Sequence, residues 1–554
     1  MMASSTKWAS KVRSGNVFKE DGIGGSVRYQ ASFGDDKTDA LVGIKYSQDG
    51  MYYQADGRMV GIYGNQGDVQ GSKSHDVFAK VAHHLDDDKK MSVAVNHYHL
   101  EGSQKYMNVA GNRAIGLTDT AVKHDGKTPQ GKNPYNDVLT VNTTFNDEDF
   151  FGTSLAAQAF YNKSSARYGA NFAANYQDPK LAKNGELLDQ SQNDSTKIGA
   201  KLTLNKNDLL SDRLSLTGGV DLMQDKTGQD LITHNRTWAP VMTYQNVAPF
   251  VQGRLDVGRL SLSGGLRYEY GKLSVDDFST LAGYTRNKSF GARQWTYTPV
   301  KGGELEFDEL LPSVGLVYDF GQVQAFASHA RGYGMPDVGR TLREITTPDQ
   351  GVQSLDLKPV VTDNTEVGVR FVGDKASFDV SAFQSKSKLG QAMIPREDGD
   401  GYYIQREKTD IKGVEANARY QATKRTELTL GYAHIQGKFE EDGKGVMVDM
   451  PARNISPDKL ALGVNYKFDD GKRFNLTATH LFGRDYRRTD KVSDKFDGYT
   501  LVDLAYRQPW GGGEFSLGVN NLLNHHYDVF LTDVVLPTSD RYTGGQGRNY
   551  VVGY

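Results

Sequence analysis

The chain has 554 residues, no cysteine, 61 glycines and 30 tyrosines, with a formal net charge of −3 and a mean hydropathy of −0.57. That charge leaves no electrostatic footprint for nucleic acid, and no run approaches the ~18 consecutive apolar residues of a membrane helix. A soluble all-β protein and a membrane β-barrel both remain, because barrel strands alternate and give a weak hydropathy signal; the missing cysteines suit the bacterial envelope without requiring it.

The opening residues, MMASSTKWASKVRSGNVF, hold no apolar core of ~7–15 residues, so no signal peptide is expected in the chain. From a first candidate strand at 7–15 to a last at 548–554, strand-like runs are joined alternately by short turns and long polar connections. The short turns include 86–90, 146–149, 256–258, 319–321, 373–375, 422–424, 469–472 and 509–513. The long connections include 101–135, 163–194, 223–246, 271–305, 331–362, 386–408, 437–456 and 523–546. A transmembrane barrel has one rim toward the periplasm and one reaching outside, which explains two classes of connection. A soluble sandwich or propeller has no reason to alternate so regularly.

Strand faces agree. Leu214, Leu216, Val220 and Leu222 alternate with Ser215, Thr217, Gly219 and Asp221. Leu260, Leu262, Leu266, Tyr268 and Tyr270 alternate with Ser261, Ser263, Arg267 and Glu269, and Leu462, Val464, Tyr466 and Phe468 with Gly463, Asn465 and Lys467. Successive side chains on a strand point to opposite faces, so each run has one apolar and one polar side. Aromatics gather at strand ends, as interfacial girdles do, and the charged faces suit a wet lumen. The expected fold is all-β: one transmembrane antiparallel barrel of about 22 strands over residues 1–554. A barrel this wide encloses a lumen that natural examples fill with a plug. No mixed α/β segment precedes the first strand and no acidic-apolar energy-coupling box is found, so neither a plug nor that box is expected in the chain.

Other motifs carry little. Gly126, Gly131, Lys132 and Asn133 imitate a phosphate loop but lack the Ser/Thr, contain Pro129 and have no strand-to-helix context. Asp398–Gly401 reads DGDG without the remaining calcium-ligand spacing. No nucleophile elbow or Ser/His/Asp arrangement supports an enzyme. His97 and His99 share a strand face, whereas the adjacent pairs His83/His84 and His525/His526 point opposite ways; with no HExxH spacing, no dedicated metal site is expected.

The last sixty residues close the pattern. Val502, Leu504 and Tyr506, then Phe515, Leu517 and Val519, share faces across the turn PWGGG, and Tyr550, Val552 and Tyr554 are in phase at the end. The phrase VNNLLNHHYDV resembles the segment before the last loop of TonB-dependent receptors. DFFGTSLAAQAFYNKSSARYG, KIGAKLTLN, NVAPFVQGRLDVGRLSLSGGLRYEYGKLSVDDF, GGELEFDELLPSVGLVYDF, LKPVVTDNTEVGVRF and DGYTLVDLAY are similar to the ferric aerobactin receptor group of that family. The resemblance covers nearly the whole chain at strands and turns, and is weak for the ligand, because loops set ligand choice. It implies an outer-membrane receptor and transporter for a ferric siderophore of hydroxamate-citrate type, driven by TonB in the complete protein. It also implies iron as cargo with no resident cofactor, a monomer, contact with outer-membrane lipid and lipopolysaccharide, and no nucleic-acid partner. The rivals are a plug-less diffusion pore, a docking surface for another macromolecule, and a haem receptor of the same fold; the segment RGYGMPDVG lacks the FRAP-type sequence of haem receptors.

A compact anionic iron complex needs cations, hydrogen-bond donors and aromatic walls. In chain order the loops offer His234, Arg236, Trp238 and Tyr244; Tyr284, Arg286, Arg293, Trp295 and Tyr297; Arg331, Tyr333, Arg340 and Arg343; Tyr402, Tyr403 and Arg406; Arg484, Tyr486, Arg487 and Arg488; and Arg541 with Tyr542. Arg236/Trp238 and Arg293/Trp295 stand out, since alternate spacing in an extended segment puts both side chains on one face. The same residues also suit plain solvated loops, and the Arg484–Arg488 group suits lipopolysaccharide phosphates.

Overall fold

Alternating residues with turns of Gly, Asn and Asp between them build hairpins, and 22 staves in sequence close one antiparallel barrel. The computed structural model describes residues 3–554 except 17, 63–68, 174–175, 179, 183–185, 282, 287–292, 344, 346–350, 356, 391, 396–401, 442, 488–492 and 536–541. The staves are β1 (Ala3–Gly15), β2 (Gly24–Gly34), β3 (Thr38–Asp49), β4 (Ser72–His84), β5 (Lys89–Gly102), β6 (Tyr135–Phe150), β7 (Thr153–Arg167), β8 (Ser191–Leu209), β9 (Leu214–Leu231), β10 (Arg236–Val257) and β11 (Leu260–Val275). They continue as β12 (Gly303–Asp319), β13 (Val323–Gly334), β14 (Val360–Val372), β15 (Ala376–Ser387), β16 (Thr409–Gln421), β17 (Thr426–Glu440), β18 (Lys459–Lys467), β19 (Arg473–Leu481), β20 (Tyr499–Trp510), β21 (Gly513–Asn520) and β22 (Asn549–Gly553). A short segment, Met447–Asp449, lies along the end of β17.

Register keeps each face uniform. Leu222 pairs with Val247, Val247 with Tyr270, and Val251 with Leu266, all outward and exposed. The other face is cross-linked: Arg267 bonds Asp221 at 2.8 Å and Glu269, Asn246 donates to Glu269 at 2.8 Å, and Asn417 donates to Asp379 at 3.1 Å. An apolar exterior and a hydrogen-bonded polar interior are what a wall between lipid and water requires. Near the short turns, ring pairs Phe371/Phe378, Tyr318/Phe320 and Tyr466/Phe468 form an aromatic girdle.

Three expectations change. The long connection at 223–246 is mostly strand: β9 and β10 run on to a four-residue turn at 232–235, because the polar alternation from Gln224 onward continues as sheet wetted on both faces. Two turns differ from the reading: the one placed at 146–149 falls at 151–152, and the one at 509–513 narrows to 511–512. Phe151 and Gly152 (φ 51° and 74°), and Gly511 and Gly512 (φ 57° and 85°), are two-residue hairpin turns with positive φ at both positions. The strands therefore reach Phe150 and Trp510, and Pro509 sits in a stave rather than a turn. The outermost staves also shift, β1 beginning at Ala3 and β22 covering Asn549–Gly553.

The wall is uneven. β10 has 22 residues, whereas β21 has 8 and β22 has 5. β22 nevertheless closes the barrel, pairing with β1 from Lys11↔Gly553 to Gly15↔Asn549 and with β21 from Ser516↔Gly553 to Asn520↔Asn549. Above this short seam, loops take over. Asn16 Nδ2 donates to Gln54 O, Ala55 O and Asn524 Oδ1 at 3.2–3.4 Å. Asn524 Nδ2 donates to Ala55 O at 3.0 Å, and its Oδ1 accepts from Arg548 N at 2.9 Å. Gly547 N donates to Tyr53 O at 2.8 Å, and a Cβ at Gly547 would lie 2.8 Å from the Ala55 backbone, so only glycine allows this approach. Asp21 accepts from the hydroxyls of Tyr53 and Tyr106, tying three loops together; burial and that bond push the Tyr106 hydroxyl up to about 12.

Asn524→Ala removes both sides of this clasp at a residue with φ 52°. The change is expected to cost about 1–3 kcal/mol and lower the unfolding midpoint in detergent, with circular dichroism unchanged below the transition. Leu523→Ala, at an exposed neighbour, leaves the midpoint in place.

Candidate functional site

The tall side of the wall, β8 to β12, carries the cavity. Beside it the connection after β13 folds into a one-and-a-half-turn helix, α1 (Val338–Arg343). Asp337 Oδ1 accepts the Arg340 N–H at 3.1 Å and starts the helix. Val338 and Leu342 are buried in an apolar pad with Leu273, Val275, Phe307 and Val352, which seats α1 inside the mouth. A Cβ at Gly339 would meet Met242 Cε at 3.0 Å, so the helix lies close to β10. Residues three apart share a helix face; with Val338 and Leu342 in the pad, Arg340 and Arg343 both line the cavity.

A buried charge network holds the opposite side. Asp189, fully buried, accepts from Arg236 Nη2 at 2.6 Å, from the backbone of Gln190 and Thr233, and lies 3.1 Å from His234 Nδ1. Arg236 also donates to Tyr176 O at 2.7 Å. Burial alone would raise the Asp189 carboxyl, but the Arg236 guanidinium, the Gln190 N–H and His234 outweigh it and hold it below the usual carboxylate range. Arg236 Nε and Nη1 are buried without a hydrogen-bond partner. Tyr176 meets Trp238 edge-to-face at 4.8 Å, and the Arg343 guanidinium lies 4.3 Å over the same indole.

These groups enclose a cavity of about 780 Å³ lined by Tyr168, Tyr176, Trp238, Tyr244, Arg340 and Arg343, with Asp225 and Asn193 among its polar groups. That size lies within the ~300–1,000 Å³ of small-molecule sites. The connection 276–302 is tied across to 168–190 by a bond from the Tyr297 hydroxyl to Asp178 and by Lys180 Nζ 4.7 Å over the Tyr297 ring. Burial and that bond push Tyr297 up to about 12. The arrangement can hold a compact anion: cations for its charge, donors for its oxygens, and rings that exclude water.

Of the residues singled out in the sequence, Trp238 and Tyr244 line the cavity and Arg236 stands behind it, all three on a strand rather than a loop. Tyr333 packs on the pad beside Tyr244, and Arg331 is engaged by Asp363 and Glu309. Arg340 and Arg343 line it from α1, His234 joins the Asp189 network behind it, and Tyr297 ties a neighbouring connection to Asp178. The remaining described candidates are not brought to this place. Arg406 braces Pro359 O and Leu389 O, Arg484 donates to Ile435 O, Tyr486 is buried in a separate cluster, and Tyr542 donates to Asp528 at 2.6 Å. Arg541 and Arg488 lie outside the described residues, as do the side chains of Tyr284, Arg286, Arg293, Trp295, Tyr402 and Tyr403. Tyr168, Tyr176, Asn193 and Asp225 were missed, and only their position beside long connections could have marked them.

Arg236→Ala leaves a buried carboxylate without its cation and is expected to cost about 3–5 kcal/mol, read by urea unfolding; Arg236→Lys recovers part. Because the Asp189 value is depressed, its contribution is fully present above the ordinary Asp value near ~3.9 and is lost as pH falls through the depressed one. Trp238 emission should therefore hold steady to about pH 4 and shift only in stronger acid.

A family model described as "TonB dependent receptor-like, beta-barrel" matches residues 83–522. The chain is 24% identical to the ferric aerobactin receptor of Klebsiella pneumoniae, over 97% of this chain and 75% of that one. It is 22% identical to the rhizobactin receptor of Rhizobium meliloti (strain 1021), over 91% and 69%. Among solved structures the copper transporter OprC superposes with a TM-score of 0.74 at 16% identity, over 99% of this chain and 82% of that one, which speaks for the fold alone. A match that starts at the end of β4 and stops just past β21 takes in most of the wall, and the chain belongs to the TonB-dependent receptor family, of which it forms the β-barrel.

Proposed function

We propose that the chain is the barrel of an outer-membrane receptor and transporter that takes a ferric siderophore of the hydroxamate-citrate, aerobactin-like type into its extracellular mouth. The observation that carries this reading is the cavity where Arg340 and Arg343 face Trp238, Tyr176 and Tyr244. A ferric hydroxamate-citrate complex is coordinatively saturated, compact and anionic, so the receptor has no need to touch the metal. It must neutralise the charge and dry the surface, which paired guanidinium groups over aromatic rings do. The names of the curated relatives, ferric aerobactin and rhizobactin receptors, support the same ligand class. Iron is cargo in this reading, with no resident cofactor and no catalytic step. The outward apolar faces suit a monomer surrounded by outer-membrane lipid and lipopolysaccharide, and in the complete receptor TonB drives release inward.

Quenching of the four tryptophans tests it. The barrel in detergent is titrated with ferric aerobactin, other ferric siderophores and haem. Saturable quenching by the hydroxamate-citrate complex is expected, and Arg343→Ala weakens it about tenfold, near 1.4 kcal/mol. Binding falls with added salt, as a charge-led site requires. Preference for haem, or affinity unchanged by both Arg340→Ala and Arg343→Ala, rejects the reading.

A further inference from the structure

On the outer face of the wall, opposite the lumen that holds the cavity, β4, β5 and β6 bring three imidazoles and a carboxylate together. Register does this. His75 stands directly opposite His99, His99 directly opposite Asp137, and His97 lies two residues along the same face. That face continues toward the short turns as Val77 and Val81 on β4 and Val93 and Val95 on β5, all exposed and apolar. The cluster therefore sits just beyond the apolar belt, on the side of the long connections.

His97 Nε2 lies 3.1 Å and His99 Nδ1 2.8 Å from the same oxygen, Asp137 Oδ2. The His75 ring centre is 5.4 Å from that of His97 and 5.3 Å from that of His99. Ligands on one tetrahedral zinc-class ion, with bonds of about 2.0–2.1 Å, stand roughly 3.3 Å apart, and two imidazoles on it have centres about 5 Å apart. As the side chains stand, no three such groups converge on one centre among the described residues, and His97 and His99 each turn a ring nitrogen to Asp137. Metal binding requires those rings to rotate until their lone pairs turn toward one centre. His97, His99 and Asp137 are 39%, 27% and 38% exposed, so an ion can reach them from solvent. No Lys or Arg pairs with Asp137 among the described residues; the nearby Arg167 is engaged over the Tyr135 ring at 4.4 Å and with Gln192.

We propose that His75, His97, His99 and Asp137 form a binding site for one divalent cation of the zinc class on the outer wall of the barrel. Imidazole donors select zinc, cobalt or nickel over magnesium and calcium, which prefer oxygen. The ion would staple three neighbouring strands at the level where lipid headgroups begin. The site is independent of the siderophore reading, shares no residue with that cavity, and needs a separate assay.

The test is calorimetric titration of the chelator-washed barrel in detergent with Zn²⁺, alongside Co²⁺ followed by its visible absorption. One equivalent of Zn²⁺ is expected, with four-coordinate cobalt bands and no displacement by excess Mg²⁺. The double variant His97→Ala/His99→Ala should weaken binding at least tenfold, and Asp137→Asn should weaken it less. His434→Ala/His480→Ala, on the same outer face elsewhere, should change nothing. Heat-modifiable mobility on gels confirms that each variant is a folded barrel. Failure of the folded native chain to bind Zn²⁺, or equal affinity in the His97/His99 variant, overturns the proposal. Ferric-complex quenching is expected to be the same in all these variants, so the two readings fail separately.

Discussion

Backbone hydrogen bonding in hydrocarbon is the constraint on which the rest depends. No water can satisfy an exposed N–H or C=O there, so a spanning sheet must have no edge. Every stave pairs on both sides, and the burden falls on the five-residue β22 between β21 and β1. Where β22 is too short to finish the wall, Asn16, Asn524 and Gly547 continue the closure with loop backbone. Among the described residues no helix is long and apolar enough to cross a membrane.

Closure also shapes the mouth. A barrel with equal rims would present a symmetric opening. Here β8 to β12 rise well above the staves of the seam, and this tall side carries the cavity. Its chemistry is set by a buried pair. Asp189 and Arg236 would be costly singly, and together they fix Tyr176, which fixes the indole of Trp238, over which Arg343 lies. The ligand-facing groups are thus positioned by residues that the ligand does not need to touch.

The barrel was largely legible because period-two alternation and turn spacing are local signals: Leu260 to Tyr270 read correctly as one outward face without any knowledge of neighbours. The height of β9 and β10 was not, since polar alternation above the belt looks the same in a loop and in a wet sheet. The cavity was half legible. Trp238 and Tyr244 announce themselves as aromatics in a polar stretch, but Tyr176 and Asp225 acquire their place only through loop folding and strand register. The same limit hid the outer-wall cluster: His97 and His99 visibly share a face, whereas His75 and Asp137 join them only across two interstrand registers.

The seam has a consequence for folding order. Every other stave pairs with a neighbour close in sequence, so hairpins can form locally and quickly. β1 and β22 are the most distant segments of the chain, and their five residue pairs form only after everything between them is in place. Loop-closure entropy makes that contact the slowest to arrive. Until it does, β1 and β22 are open edges able to pair with another chain. The stability of the finished wall and the hazard of making it therefore reside in the same few residues, and a brief strand that seals late limits how long a sticky edge is on offer.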